Sequence, residues 1–437
     1  MRRHGFLTGA AVLAVAGILC RLIGVVIRIP LANIVGNYGM GIYQMVFPLY
    51  ALLLIISSAG VPVAISKMVA KEGNTGESRK ILLNAVVLLG FIGLVVSALF
   101  VIFSYQIAAF QGNKNVGIIY IAIAPSVFLV CVISAIRGYF QGLQNMVPTG
   151  LSQVLEQIIK LVFALSLALW LVHYSIIWAV FGAILAVTIS EIVALIFLII
   201  LYLFSNKKYL NVQVKKLLDF KLMLNILKQS IPITLMSAIF PLILVLDSMF
   251  VIKMLGGGKT ATQLFGIQSG AVHTMINLPA VLAIALATAV VPAVSALIKA
   301  KKTAELRKKM ALSVAIIVVL SMFFTTIYMI FPRQILDLLY HKAFLEAPEQ
   351  LNLAVKLMRI ESALIFLMGI SAVFTAMLQG ADKAKLPLIA LGIGGLVKIL
   401  FQFGRLGDLG IMAVSIGNVL CFAIAAGLNT YFALRNF

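Results

Sequence analysis

Long apolar runs constrain this sequence more than any other feature. Each is long enough to cross about 30 Å of hydrocarbon at about 1.5 Å per helical residue. In lipid, backbone amides and carbonyls must be bonded within the segment, so the runs are expected to be helices. The sequence predicts an all-α polytopic membrane protein with about twelve transmembrane helices. The runs fall at about 7–34, 40–66, 81–104, 116–138, 150–172, 175–204, 230–254, 262–298, 310–332, 352–378, 386–404 and 409–434.

Composition and charge agree with this class. Hydrophobic residues make up 63% of the chain and charged residues 11%, which excludes an ordinary soluble domain. The net charge of +21 would suggest nucleic acid in a soluble protein. Here 22 Lys and Arg fall in alternate loops and 6 in the others. This positive-inside asymmetry predicts cytoplasmic termini and no nucleic-acid partner. The first run is too long for a signal peptide and is interpreted as a retained span.

Two motifs recur at nearly constant offsets. Val61-Pro62 recurs as Val291-Pro292, and Gln141-Gly142 with Lys160 recurs as Gln379-Gly380 with Lys398. The offsets are 230 and 238 residues. They predict an N-terminal six-helix lobe at 1–204, a basic cytoplasmic linker at 205–229 and a C-terminal six-helix lobe at 230–437. Parallel repeats of this kind form two lobes around a central cavity, so we expect a V-shaped alternating-access transporter.

Basic residues inside the spans are candidate ligands for an anion, because each is costly if it faces lipid. Arg21 and Arg28 are seven residues apart and are predicted to share one face of the first helix. Either they line the cavity or they snorkel to headgroups. Lys160 and its repeat mate Lys398 lie near mid-membrane. Arg137, at the inner end of span four, could contact a substrate phosphate at the cytoplasmic mouth or a lipid phosphate.

Acidic residues inside the spans are candidates for ion coupling or for pairing. Glu156 precedes Lys160 by four residues and is predicted to pair with it. Glu191 and Asp247 are further buried acids. Asp247 could bind a coupling cation, or pair with a cavity arginine or with Lys253. Three more residues, Glu361 with Lys356 and Arg359, are interpreted as a mutually compensated group near the outer interface.

Signals of enzymatic chemistry are missing from the sequence. It has neither a P-loop nor a nucleophile elbow. The histidines at 4, 173, 273 and 341 are dispersed and have no metal-ligand spacing. We therefore predict no enzyme activity, no catalytic residues, no cofactor and no bound metal. The excess of cavity cations over unpaired acids favours an anionic substrate, because Arg and Lys match phosphate in charge and geometry.

Several motifs resemble the stage V sporulation protein B family. They are RLIGVVIRIP at 21–30, GMGIYQMVFPLY at 39–50, SAGVPVAISK at 58–67, RGYFQG at 137–142, MVPT at 146–149, SQVLEQ at 152–157, NLP at 277–279 and IALATAVVP at 284–292. This family includes Gram-positive lipid II flippases and belongs to the MATE-like superfamily of multidrug, oligosaccharidyl-lipid and polysaccharide transporters.

The resemblance implies a flippase of the bacterial cytoplasmic membrane that moves an undecaprenyl-diphosphate-linked sugar. Arg21 and Arg28 match family arginines implicated in diphosphate binding, and membrane potential or an Na⁺ or H⁺ gradient would supply the drive. Two features depart from the pattern. Members commonly have fourteen spans, and the Gram-negative branch carries Arg and Glu where this chain has Thr274 and Asn277.

Two other functions stay open at this point. A cation-coupled MATE-type multidrug exporter would need uncompensated carboxylates, such as Asp247, for its substrates. A non-transporting scaffold of a sporulation or wall-synthesis complex would not need Arg21 or Arg28.

Overall fold

The structure is a computed structural model that describes residues 2–58, 60–73, 75–205, 218–300, 302–345, 347–381 and 383–436. Within these ranges it contains helices and no β-strand. Residues 206–217 of the predicted basic linker lie outside the described residues. The helices are α1 (Arg2–Val26), α2 (Arg28–Ser58), α3 (Val61–Glu72), α4 (Gly76–Ile102), α5 (Ser104–Phe110), α6 (Gly117–Gly142), α7 (Val147–Leu171), α8 (Ile176–Ser205), α9 (Phe220–Met254), α10 (Gly258–Phe265), α11 (His273–Lys299), α12 (Thr303–Ile330), α13 (Pro332–Phe344), α14 (Pro348–Gly380), α15 (Lys385–Leu409) and α16 (Met412–Asn436).

Helices that could cross a membrane occur in both halves of the described chain. Ten of the described helical segments are long and apolar enough to cross a membrane. The first, Val15–Glu72, overlaps the first two predicted spans. Helix α9, which is not among the ten, overlaps the predicted seventh span. The prediction of an all-α polytopic membrane protein is therefore confirmed.

Two compact units divide the chain. Unit 1 comprises Met1–Ile27 and Ile42–Leu246, and unit 2 comprises Arg28–Gly41 and Asp247–Phe437. These bounds differ from the predicted lobe boundaries at two helices. The first part of α2 belongs to unit 2 and most of α9 belongs to unit 1. Contacts explain the difference, because Asn33 Nδ2 donates to the Leu339 carbonyl of α13 at 2.7 Å, and the Gly60 amide donates to Thr234 Oγ1 of α9 at 3.1 Å.

Helix packing follows the same order inside each unit. In unit 1, α6 packs on α3, α4 and α8, while α7 packs mainly on α8. In unit 2, α14 packs on α11, α12 and α16, while α15 packs mainly on α16. Glycines of the repeated Gln-Gly motif permit part of this packing. A Cβ added at Gly142 would lie 2.9 Å from the Ser66 carbonyl oxygen, and one at Gly380 would lie 3.0 Å from that of Val291.

Exposed aromatic side chains mark one end of the helices in unit 1. Tyr105 follows α4, Trp170 and Tyr174 lie at and just beyond the end of α7, and Trp178 lies in the first turn of α8. Each is exposed. Trp and Tyr concentrate at membrane interfaces, where a ring can be apolar on one side and wet on the other. Their clustering agrees with one membrane boundary at this end of unit 1.

Candidate functional site

Arg21 and Arg28 lie on different helices and in different units. The Ile27 amide donates to the Ile23 carbonyl at 3.0 Å and closes α1, and α2 begins at Arg28. The two arginines therefore do not lie on one uninterrupted helix, and their predicted position on a shared face stays a prediction. Arg21 is exposed and Arg28 is partly buried. Neither forms a salt bridge with any carboxylate in the described part of the chain.

Arg28 is held near the short helix α13 of unit 2. Asn37 Nδ2 donates to Gln350 Oε1 at 2.8 Å and so ties the first part of α2 to the segment after α13. Tyr340 of α13 is fully buried. Burial raises the pKa of Tyr340 above its ordinary value, and the nearby Arg28 charge opposes part of that shift. The Tyr340 hydroxyl has no hydrogen-bond partner among the described residues.

Arg137 of α6 forms a salt bridge with Glu156 of α7. Its Nη2 lies 3.0 Å from Glu156 Oε2, and its Nε donates to Ser152 Oγ at 3.0 Å. Helical spacing had suggested Lys160 as the partner of Glu156, whereas tertiary folding supplies Arg137. Lys160 lies one turn further along α7, where its charge acts on Cys20 of α1 and on Glu191 of α8.

Lys398 of α15 is bound to Asp247 of α9 in unit 2. Its Nζ lies 2.9 Å from Asp247 Oδ2, and the two side chains are only 7% and 10% exposed. The basic partner of Asp247 is thus Lys398, which the sequence had not suggested for it. Asp247 Oδ1 is buried without a hydrogen-bond partner in the described ranges. A Cβ added at Gly417 of α16 would lie 3.2 Å from Lys398 Cγ, so α16 encloses the lysine stem.

Glu191 of α8 is the most enclosed carboxylate of unit 1. It is 1% exposed and accepts a hydrogen bond from the Tyr50 hydroxyl of α2 at 2.5 Å. Tyr50 also contacts Ser126 Oγ of α6. The second carboxylate oxygen, Oε2, has no partner among the described residues. Three helices thus converge on a single polar cluster.

Glu361 of α14 is not paired with Lys356 and Arg359, as the sequence had suggested. It is completely buried, whereas both basic residues are exposed. The predicted pairing was wrong because residues close in sequence were assumed to compensate one another. Its carboxylate instead contacts Gln268 Nε2 at 2.6 Å, His273 Nδ1 at 3.1 Å, Ser415 Oγ at 2.7 Å and Asn418 Nδ2 at 3.5 Å.

Sequence reasoning missed these four partners of Glu361. They come from the π-helical segment Gly266–Val272, from α11 and from α16, and they are 54–93 residues away in sequence. The one signal that could have pointed to them is a histidine in an otherwise uncharged span. Among the described residues, no group of three or more His, Cys, Asp or Glu is placed to hold a metal ion.

Comparisons with known proteins agree with this architecture. The family model described as "Polysaccharide biosynthesis protein" matches residues 6–298, and the MatE model matches residues 232–403. Stage V sporulation protein B of Bacillus subtilis (strain 168) is 27% identical over 96% of this chain and 82% of its own length. The uncharacterized membrane protein YabM of the same organism is 28% identical over 99% of this chain and 80% of its own length.

A solved structure shows the same fold. The structure titled "Lipid II flippase MurJ, inward closed conformation" superposes with a TM-score of 0.73 at 16% identity, and it covers 96% of this chain and 87% of that chain. This likeness concerns the fold, since the identity is low. The resemblance to stage V sporulation protein B predicted from the motifs is confirmed. The chain belongs to the polysaccharide biosynthesis protein family and is a multi-pass membrane protein with the fold of the MATE-like superfamily.

Proposed function

We propose that this chain is a flippase for an undecaprenyl-diphosphate-linked cell-wall or polysaccharide precursor, with lipid II as the first substrate to test. It would work by alternating access of two six-helix lobes in the bacterial cytoplasmic membrane, with both termini in the cytoplasm. Membership of the polysaccharide biosynthesis family supports the substrate class. A relative named as the lipid II flippase MurJ of Bacillus subtilis (strain 168) also supports it, at 31% identity over 34% of this chain and 30% of its own length.

One observation about charge carries the proposal. Each of the four carboxylates in the middle of the predicted spans has a bonded partner: Glu156 has Arg137, Glu191 has Tyr50, Asp247 has Lys398, and Glu361 has His273. Arg21, by contrast, is exposed on an apolar helix and forms no salt bridge within the described residues. A guanidinium in the hydrocarbon costs about 2.5–3.5 kcal/mol unless an anion meets it. Three of the four carboxylates contact a basic side chain, whereas Arg21 contacts no acid in the described ranges, and a free guanidinium fits a diphosphate.

The proposed phosphate ligands are Arg21, Arg28, Lys160 and Lys398, and they would not contribute equally. Guanidinium groups bind phosphate through two parallel hydrogen bonds, so Arg21 and Arg28 would bind most of the charge. Lys398 would bind phosphate only by leaving Asp247, which lies 2.9 Å away. Its contribution is therefore expected to be smaller. Arg137 would have to leave Glu156 in the same way.

The direct test uses purified protein in liposomes that contain fluorescent lipid II. Transfer between leaflets is measured as loss of accessibility to a membrane-impermeant quencher. R21A should slow transfer by about 10- to 100-fold, the range that a charge-assisted hydrogen bond supports. R405A is the matched control, because Arg405 is 62% exposed and paired with Asp408. Transfer no faster than in empty vesicles under every imposed gradient would remove the proposal.

The MatE match over residues 232–403 favours one alternative, a cation-coupled drug exporter. That function predicts resistance of cells to cationic dyes, and loss of the resistance in D247N. The charge balance argues against it, because Asp247 is bound by Lys398. A non-transporting scaffold in sporulation or wall synthesis predicts instead that R21A and R28A leave the cellular phenotype unchanged.

A further inference from the structure

Glu361 is a buried carboxylate that neighbouring side chains hold by hydrogen bonds. Both oxygens are bonded: Gln268, Ser415 and Asn418 contact Oε1, and His273 contacts Oε2. A carboxylate can only accept hydrogen bonds, so each of these groups must present a hydrogen to it. Of these four partners, only His273 can gain or lose a proton near neutral pH, so proton exchange is the chemistry that this set of side chains can perform.

His273 is the group through which a proton could reach this carboxylate. Its side chain is 29% exposed, whereas that of Glu361 is fully buried. With Nδ1 in contact with the carboxylate, Nε2 is the ring nitrogen left for exchange. Unperturbed imidazole changes charge between about pH 5 and 8. His273 therefore connects an enclosed anion to the outside of unit 2.

The other groups around the pair are neutral among the described residues. The π-helical segment contributes Gln268, and α16 contributes Ser415 and Asn418. From α12, Thr325 donates to the carbonyl of Ser362, next to Glu361. Lys356 and Arg359 of α14 are exposed. His273 is thus the titratable side chain in contact with Glu361 among the described residues.

The His273–Glu361 pair is linked through packed segments to Arg28, one of the proposed phosphate ligands. Gln268 lies in a seven-residue π-helical segment, and such segments are often found at functional sites. That segment packs against the first part of α2 at backbone distance, since a Cβ on Gly266 would lie 1.9 Å from the Asn37 carbonyl oxygen. Arg28 begins the same helix. All these residues belong to unit 2.

We propose that His273 and Glu361 form a proton-exchange site that couples transport to the proton gradient. The proposal rests on the flippase function proposed above. A proton enters at Nε2 of His273 and makes an imidazolium whose Nδ1–H is bonded to the carboxylate. When the proton leaves, the buried Glu361 anion loses the positive charge beside it. The hydrogen bonds from Gln268, Ser415 and Asn418 must then stabilise the anion. The packing of the π-helical segment on α2 then changes with the protonation state.

The first test measures the proton site itself, without substrate. The chain has 4 histidines, so ¹⁵N-histidine NMR of the full protein in nanodiscs resolves a small set of signals, and H273N assigns the relevant one. The His273 signal should change with pH, and this change should differ in E361Q, since the carboxylate that contacts Nδ1 is gone. A His273 signal that does not titrate between pH 4.5 and 9, or that ignores E361Q, overturns the proposal.

The second test measures coupling in the liposome assay with fluorescent lipid II. An imposed pH gradient should accelerate transfer by the wild type, and H273N and E361Q should lose that acceleration while keeping slow gradient-free transfer. H341N is the control, because His341 forms only an exposed pair with Asp337. Equal acceleration in H273N and wild type overturns the proton site. Absence of wild-type transfer with an intact NMR titration removes the flippase function instead.

Discussion

Glu191 in unit 1 and Glu361 in unit 2 are both nearly inaccessible carboxylates, at 1% and 0% exposure, yet their neighbours differ. Glu191 receives a hydrogen bond from Tyr50 and retains an oxygen without a described partner. Glu361 is bonded at both oxygens and contacts a partly exposed histidine. The comparison shows that similar helix packing can enclose an acid with or without a partly exposed histidine in contact with it.

The repeat offset of 238 residues extends this comparison to the salt bridges. It places Lys398 at the position of Lys160, Thr375 at that of Arg137, and Gly394 at that of Glu156. The Arg137–Glu156 pair of unit 1 therefore has no counterpart at the same positions in unit 2. Gly394 instead permits close packing, since a Cβ there would lie 2.4 Å from the Cys421 carbonyl oxygen. Unit 2 obtains its own ion pair from α9.

Breaking the Lys398–Asp247 pair should produce the largest loss of stability. K398A leaves a buried, uncompensated carboxylate and should cost about 3–5 kcal/mol, whereas K398M/D247L, which removes both charges, should cost much less. R137A in unit 1 should cost about 1.5–3 kcal/mol, because its pair with Glu156 is more exposed. Unfolding free energies in detergent measure all three. Equal losses for K398A and R137A would contradict the comparison.

Neutralising the two buried glutamates should lower the free energy of unfolding by different amounts, because their environments differ. E361Q should lose about 1.5–3 kcal/mol, because four side chains are held to donate to a charged acceptor. E191Q should lose less than about 1 kcal/mol, because a neutral amide oxygen can still accept from Tyr50. Thermal unfolding of both variants at pH 7 provides the measurement. A larger loss in E191Q would show that the ranking from donor number is mistaken.

Gly394 occupies the position of Glu156 in the repeat. A methyl group added there tests whether this position serves close helix packing. G394A should destabilise by about 1–3 kcal/mol, because the added Cβ collides with the Cys421 carbonyl. The matched control is G392A, two residues earlier on the same helix, where a Cβ would meet no atom within 4 Å. That change should be neutral or stabilising by about 0.5–1 kcal/mol. Similar unfolding temperatures for both variants would contradict a close approach of α15 and α16.

The smallest effect concerns the pH dependence at the start of α9 in unit 1. The hydrogen bond from Lys80 lowers the pKa of Asp219 below its ordinary value of 3.8, with help from the Leu222 amide. Because the folded pKa is depressed, this stabilisation is present above pH 3.8 and is lost as pH falls through the lower, folded value. D219N should remove it. Unfolding temperatures between pH 3 and 7 test this, with D408N as a control in an exposed pair of unit 2.

Much of the fold follows from the sequence because lipid imposes one simple rule on the backbone. Every predicted span overlaps a long helix of the structure, since apolar length alone selects helices in hydrocarbon. The positions at which the helices are interrupted do not follow from this rule. The interruption at Ile27 separates Arg21 from Arg28, and apolar runs on both sides of it look continuous in the sequence.

The sequence by itself determined that this chain is a helical membrane protein of a recognisable family, because hydropathy and motif spacing are local properties. Only the tertiary structure decided which charges compensate one another. Spacing suggested Lys160 for Glu156 and Lys356 with Arg359 for Glu361, whereas folding brought Arg137 to Glu156 and His273 to Glu361. The physical reason is that a buried charge takes its partner from the helices packed around it, and those helices lie tens of residues away along the chain.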